Sequence, residues 1–173
     1  EAELTKFEKT AHAEQAGSCA YCHGDGVVAH LQSNLEKDEP GDVSVISMKT
    51  KKVKEITGTC LDCHEKSHHP TWVGGAHDRR GVACTDCHSV HHPQTPKGQL
   101  KTAFEPDTCY ACHSAIRAHS LRTSHHPVRE GLMTCSSCHN VHDGSKPKLI
   151  RADWNNELCL QCHTEKRGPF FWE

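Results

Sequence analysis

Apolar positions in this chain fall in short groups separated by polar and turn-forming residues. The best run, Val43-Ser44-Val45-Ile46, is far too short to span a bilayer as a helix. It follows a Pro40-Gly41 turn signal and precedes the β-prone Lys52-Val53-Lys54-Glu55-Ile56, which predicts at most a small hairpin between Leu31 and Thr59. Elsewhere the 12 Gly and 8 Pro are too frequent for long helices, so short helical turns joined by irregular chain are expected.

Only 35% of the residues are apolar and 5% aromatic, thin for a chain that must bury a protein core. Taken alone, that composition predicts disorder. The cysteines change the picture. All 12 fall in Cys-x-x-Cys-His motifs, with none left over. In chain order, motifs I to VI are Cys19-Ala20-Tyr21-Cys22-His23, Cys60-Leu61-Asp62-Cys63-His64, Cys84-Thr85-Asp86-Cys87-His88, Cys109-Tyr110-Ala111-Cys112-His113, Cys135-Ser136-Ser137-Cys138-His139 and Cys159-Leu160-Gln161-Cys162-His163.

This is the pattern of c-type haem attachment. The two thiols form thioethers with the porphyrin vinyl groups, and the adjacent imidazole sits beneath the ring and binds iron. Paired cysteines also build zinc sites and thioredoxin-like redox centres. Neither chemistry demands a histidine immediately after every pair, and disulfides explain an even count without explaining the histidines. Six covalently attached haems c are therefore expected. Each is a large flat apolar body, so the predicted fold is a multihaem cytochrome c. It should be mostly irregular, with short α-helices wrapped around a closely packed, extended haem chain and little β structure.

The protein charge of −2 shows neither a basic nucleic-acid footprint nor an acidic tail. Two propionates and a ferric porphyrin centre add about −1 per oxidised haem, for roughly −8 overall and roughly −14 when all irons are reduced. That favours docking against Lys or Arg on a redox partner, with no nucleic acid as partner. Haem is attached to such motifs outside the cytoplasmic membrane, so a periplasmic or extracellular location is expected, with a signal peptide removed before Glu1.

Repetition underlies the chain. Cys60 to Cys109 is 49 residues, Cys109 to Cys159 is 50, and Cys84 to Cys135 is 51, a unit of about fifty residues carrying two haems. One domain over residues 1–173 is predicted, read as a half-unit (1–30), a haem-free insertion (31–59), two units (60–108 and 109–158) and a final half-unit (159–173). Further histidines recur with the repeat. His77 and His126 lie seven and nine residues before a second motif, and His91 and His142 each lie three residues after a motif histidine. A histidine so close behind a haem ligand cannot reach the far face of the same porphyrin, so it should serve a neighbouring haem. His12 lies seven residues before Cys19, as His77 does before Cys84, and His30 follows His23 at a longer offset.

Of 17 histidines, six are the motif ligands His23, His64, His88, His113, His139 and His163. The distal candidates are His12, His30, His77, His91, His126 and His142. His68, His69, His92, His119 and His125 read as solvent-exposed polar residues. Met48 and Met133 have no repeated position, so bis-histidine, low-potential irons are expected. Irons with both axial positions filled favour electron transfer over catalysis. The alternative is a multihaem reductase of the nitrite or hydroxylamine type, which needs one open iron.

Several strings resemble the multihaem periplasmic cytochromes of the MtrA/DmsE type, decahaem electron conduits, and the related pentahaem NrfB type. They are Trp72-Val73-Gly74-Gly75-Ala76-His77, Val82-Ala83 running through motif III to Ser89-Val90-His91, Ser124-His125-His126-Pro127-Val128, Met133-Thr134 running through motif V to Asn140, and Glu165 to Glu173. The resemblance implies a nearly linear chain of bis-histidine haems and supports His77, His91, His126 and His142 as distal ligands. The family's Arg-Gly-Pro-x-x-Trp-Glu string usually continues into a histidine and further haem motifs.

Two modes of electron transfer follow as expectations: a periplasmic conduit or shuttle, and a subunit of a head-to-tail extracellular filament. The repeat phase motivates the second, with His12 of one chain binding the iron held by Cys159 and Cys162 of the next, a heterologous contact that need not close. The competing expectations are a histidine from within the same chain and a longer native protein.

Overall fold

The computed structural model describes residues 7–15, 19–29, 45–65, 71–152 and 155–168. Its α-helices include α1 (Ala11–Gln15), α2 (Ala20–His23), α3 (Val53–His64), α4 (Cys84–Cys87), α5 (Glu105–Tyr110), α6 (Ser114–Ser120) and α7 (Asn155–Leu160), with 3-10 turns at Asp78–Arg80, Cys135–Ser137, Pro147–Leu149 and Thr164–Lys166. Among the described residues there is no strand, only the isolated antiparallel bridges His88 to Leu100 and His139 to Ile150. The architecture is irregular chain with short helices.

The hairpin expected around residues 52–56 is replaced by helix. α3 is the longest helix described, at 12 residues. The Lys52 amide donates to the Glu55 carboxylate at 3.2 Å, and the acid lies at the positive end of the helix dipole. Val53, Ile56, Thr57, Cys60 and Leu61 recur at helical spacing, and Ile56 and Thr57 are buried. That stripe outweighs the β preference of Val53 and Ile56. The other half of the expected hairpin, from Pro40 to Ser44, lies outside the described residues.

The chain forms two compact units. The first comprises residues 1–64 and 81–108, the second residues 65–80 and 109–173. In the first, α3 packs on α4, which sets motif II beside motif III. In the second, the loop from Thr71 is tied to the loop at Gly144, whose amide donates to the Thr71 carbonyl at 3.1 Å. Buried apolar side chains among the described residues are few: Val27, Ile56, Trp72, Ala83 and Pro106. Such a core matches the low apolar content and leaves the interior to a large apolar cofactor. No helix among the described residues is long and apolar enough to cross a membrane.

Candidate haem-binding sites

Each motif forms a tight turn in which the histidine amide reaches back to the first cysteine carbonyl. These bonds run from His23 to Cys19 (3.0 Å), His88 to Cys84 (3.0 Å), His113 to Cys109 (2.9 Å), His139 to Cys135 (2.9 Å) and His163 to Cys159 (2.9 Å). One helical turn thus presents both sulfurs and the imidazole to the same side.

Two kinds of motif alternate. Motifs II, IV and VI sit at or just beyond the end of a longer helix, α3, α5 and α7 respectively. Motifs I, III and V are single turns whose histidine is held by a distant loop. His23 Nδ1 meets the Ile46 carbonyl at 2.8 Å, His88 Nδ1 the Gly98 carbonyl at 2.5 Å, and His139 Nδ1 the Lys148 carbonyl at 2.8 Å. A carbonyl only accepts, so Nδ1 carries the proton and Nε2 keeps its lone pair for a metal.

The backbone around the last two repeats. Ser89 donates to Gln99 and Lys101 to Cys87, while Asn140 donates to Leu149 and Arg151 to Cys138. Both loops turn through left-handed backbone at non-glycine residues, Gln99 at φ 48° and Lys148 and Leu149 at φ 55° and 57°. Sequence reasoning missed these carbonyl loops. Their only signal is the loosely shared Lys97-Gly98-Gln99-Leu100-Lys101 and Pro147-Lys148-Leu149-Ile150-Arg151.

Opposite several motif histidines stands a second imidazole. Ring centroids are 5.8 Å apart for His23 and His91, 5.9 Å for His12 and His64, and 6.2 Å for His77 and His113. Two imidazoles bound to opposite sides of one metal, each through a bond of about 2 Å, have centroids roughly 6 Å apart. The donor set therefore fits an iron porphyrin lying between the rings. His12 Nδ1 is buried without a hydrogen-bond partner among the described residues. Among the described residues no three His, Cys, Asp or Glu side chains converge as ligands for a bare metal ion.

The His12 ring faces His64 of its own chain, and its pairing with a neighbouring chain's Cys159/Cys162 haem is not shown. His142 lies against Trp72. His126 is exposed on the loop preceding motif V, and His30 falls outside the described residues, as do His68 and His69. His119 is exposed as expected, whereas His92 and His125 are half-buried. His125 has both nitrogens engaged, Nδ1 on the Arg122 carbonyl and Nε2 on Glu130 at 3.1 Å, so its ring braces a loop. The hydrogen bond from His125 holds the Glu130 carboxyl below its ordinary range.

Sulfurs of successive motifs are neighbours. Cys63 Sγ lies 3.6 Å from the Tyr21 hydroxyl of motif I. Cys60 and Cys84 share a hydrogen bond that, as thiols, pushes Cys60 up and draws Cys84 down to about 7. Burial raises Cys138, and the nearby Cys159 and Cys162 add to the shift. Bound as thioethers these sulfurs would no longer titrate, and their proximity would let haems held by motifs I and II, II and III, and V and VI lie close together.

A family defined by a doubled CXXCH motif matches residues 77–118 and 125–168, each copy taking in two motifs. The chain is a multihaem c-type cytochrome. It is 34% identical over 155 residues to the multiheme cytochrome MtrA of Shewanella baltica, covering 90% of this chain and 44% of that protein. It is 26% identical over 125 residues to the cytochrome c-type protein NrfB of Escherichia coli, covering 62% of this chain and 65% of the other. A high-molecular-weight cytochrome c of Nitratidesulfovibrio vulgaris is 26% identical over 153 residues, 86% of this chain and 24% of its own length. The chain thus spans less than two thirds of the length of each. The CXXCH motifs indicate covalently bound haem c, which the motif cysteines and histidines would hold and which would supply one-electron chemistry.

Proposed function

We propose that the chain holds six haems c, ligated by two histidines each, and passes electrons along them at low potential as part of an exported conduit or shuttle. Three pairs are assigned: His23 with His91, His64 with His12, and His113 with His77. The observation that carries the reading is the approach of a non-motif imidazole to a motif imidazole at the distance a shared iron requires. His126 and His142 occupy the corresponding repeat positions and complete two further irons. His30 remains a candidate by sequence alone.

Filled axial positions leave no iron for a substrate, so the chain's residues hold haems at fixed spacing and potential without binding a reactant. Neighbouring cysteine sulfurs support transfer from edge to edge. Covalent attachment places the protein outside the cytoplasmic membrane, where its donors and acceptors are redox proteins or extracellular oxidants.

Mass spectrometry of the purified protein should show six haem additions. Its ferric electron paramagnetic resonance spectrum should be low-spin, and carbon monoxide should leave the reduced optical spectrum unchanged. A stoichiometric high-spin, carbon monoxide-binding iron would replace this reading with that of a reductase.

A further inference from the structure

We propose that Trp72 is a positioning residue shared by two axial ligands, fixing the ring planes of His77 and His142 together and donating its indole N–H to a haem propionate. The proposal rests on the reading of His77 and His142 as distal ligands.

Trp72 is the one large aromatic among the buried side chains described, at 7% exposure. Its ring lies nearly parallel to His77, with centroids 6.2 Å apart at 16°, and is 6.1 Å from His142 at 51°. One indole therefore borders both imidazoles, whose positions in sequence are 65 residues apart.

The backbone on either side is built to hold this arrangement. The Trp72 carbonyl accepts from the Gly75 amide at 2.8 Å, and the Asp78 carboxylate accepts from the Gly74 amide at 2.7 Å, which closes the turn leading to His77. On the other loop, Asp143 next to His142 accepts from the Thr71 hydroxyl at 2.9 Å, while the Gly144 amide donates to the Thr71 carbonyl. The loops meet at two glycines. A Cβ on Gly144 would lie 2.5 Å from Gly75 Cα and 2.6 Å from the Thr71 carbonyl oxygen. Any larger residue would separate the loops, and with them the two ligands.

The indole Nε1 is buried and has no acceptor among the described residues. A buried donor without a partner is costly, and native proteins satisfy such groups. Beside two axial ligands, the acceptor that haem itself brings is a propionate carboxylate. A ligand held by stacking keeps its ring plane, and the planes of the two axial imidazoles set both the ferric g values and the potential.

The test uses the full haem-loaded chain with Trp72→Phe and Trp72→Leu, each checked for six haems by mass. Phe retains a ring in the slot and loses the N–H. It should keep the wild-type low-spin g values while shifting the midpoint potential of one haem. Leu removes the ring and should move the largest g value of two haems, with those two irons gaining reactivity to carbon monoxide. A Leu variant with wild-type g values and potentials, or with a change at only one haem, overturns the shared role. If Leu does not load six haems, the Phe variant decides: potentials identical to wild type refute the N–H arm, and g values as altered as those of an unstacked ligand refute the stacking arm. A wild-type protein lacking bis-histidine irons would instead fail the functional reading on which the proposal stands.

Discussion

At the scale of the residue, a histidine's role follows from what each of its nitrogens meets. His88 and His139 turn Nδ1 to a carbonyl and keep Nε2 for iron, whereas His125 has both nitrogens engaged. The same logic gives the distal positions a sharp prediction. Replacing His77 by Ala should leave six haems attached and convert one iron, that of His113, to a high-spin form that binds carbon monoxide; an unchanged low-spin spectrum would reassign the ligand. His12→Ala should do the same to the iron of His64. Because His12 faces His64 within its own chain, adding wild-type protein in excess should not repair that spectrum. Repair by a second chain would restore the head-to-tail arrangement. Motif residues were legible in sequence because covalent attachment demands a fixed local pattern. Which imidazole faces which motif histidine was not, since His77 and His113 are brought together by the path of the chain through space, and nothing in their spacing fixes that path.

At the scale of the element, the repeat consists of two devices that take turns. A longer helix delivers motifs II, IV and VI, and a single turn braced by a distant carbonyl delivers motifs I, III and V. The brace depends on loop backbone that L side chains rarely adopt. Gln99, at φ 48° and buried, is the most constrained point, and its carbonyl accepts from Ser89 beside the haem ligand. A β-branched residue tolerates this region poorly, so Gln99→Val should destabilise the protein by about 1–3 kcal/mol. As the Gly98 carbonyl shifts, the potential of the motif III haem should move as well. Denaturant unfolding followed by optical titration reads both effects, and wild-type values for both would mean that the loop is not a brace. The short helices were foreseen from the Gly and Pro content. Residues 52–56 read as strand because Val53 and Ile56 are β-branched; they are helical because Ile56 and Thr57 need one buried face, a tertiary requirement that a five-residue window does not display.

At the scale of the whole molecule, the protein core and the cofactor cannot be separated. Few apolar side chains are buried among the described residues, and within each compact unit the chain is held mainly by turns and loop-to-loop hydrogen bonds. Turns of this kind do not hold an unfolded chain together, because fixing each residue costs about 1–2 kcal/mol and a hydrogen bond exchanged with water returns little of that. Haem c would supply the missing apolar surface, and its thioethers would keep it in place where an exchangeable cofactor would dissociate. The expected outcome is that the same chain, made where haem is not attached, is unfolded: a far-ultraviolet circular dichroism spectrum of disordered chain, no cooperative thermal transition, and rapid digestion by protease across residues 71–152. The haem-loaded chain should resist digestion over those residues and unfold only at much higher denaturant. Partial loading separates this account from one in which the polypeptide folds first and the haems fill a ready site. With Cys135 and Cys138 both changed to Ser, the loss of one haem should expose the loops around motif V to protease while leaving motifs I to III protected, since those lie in the other unit. A cofactor-free chain with a sharp unfolding transition would show instead that the polypeptide carries its own core, and that the few buried residues Val27, Ile56, Trp72 and Ala83 suffice to hold it.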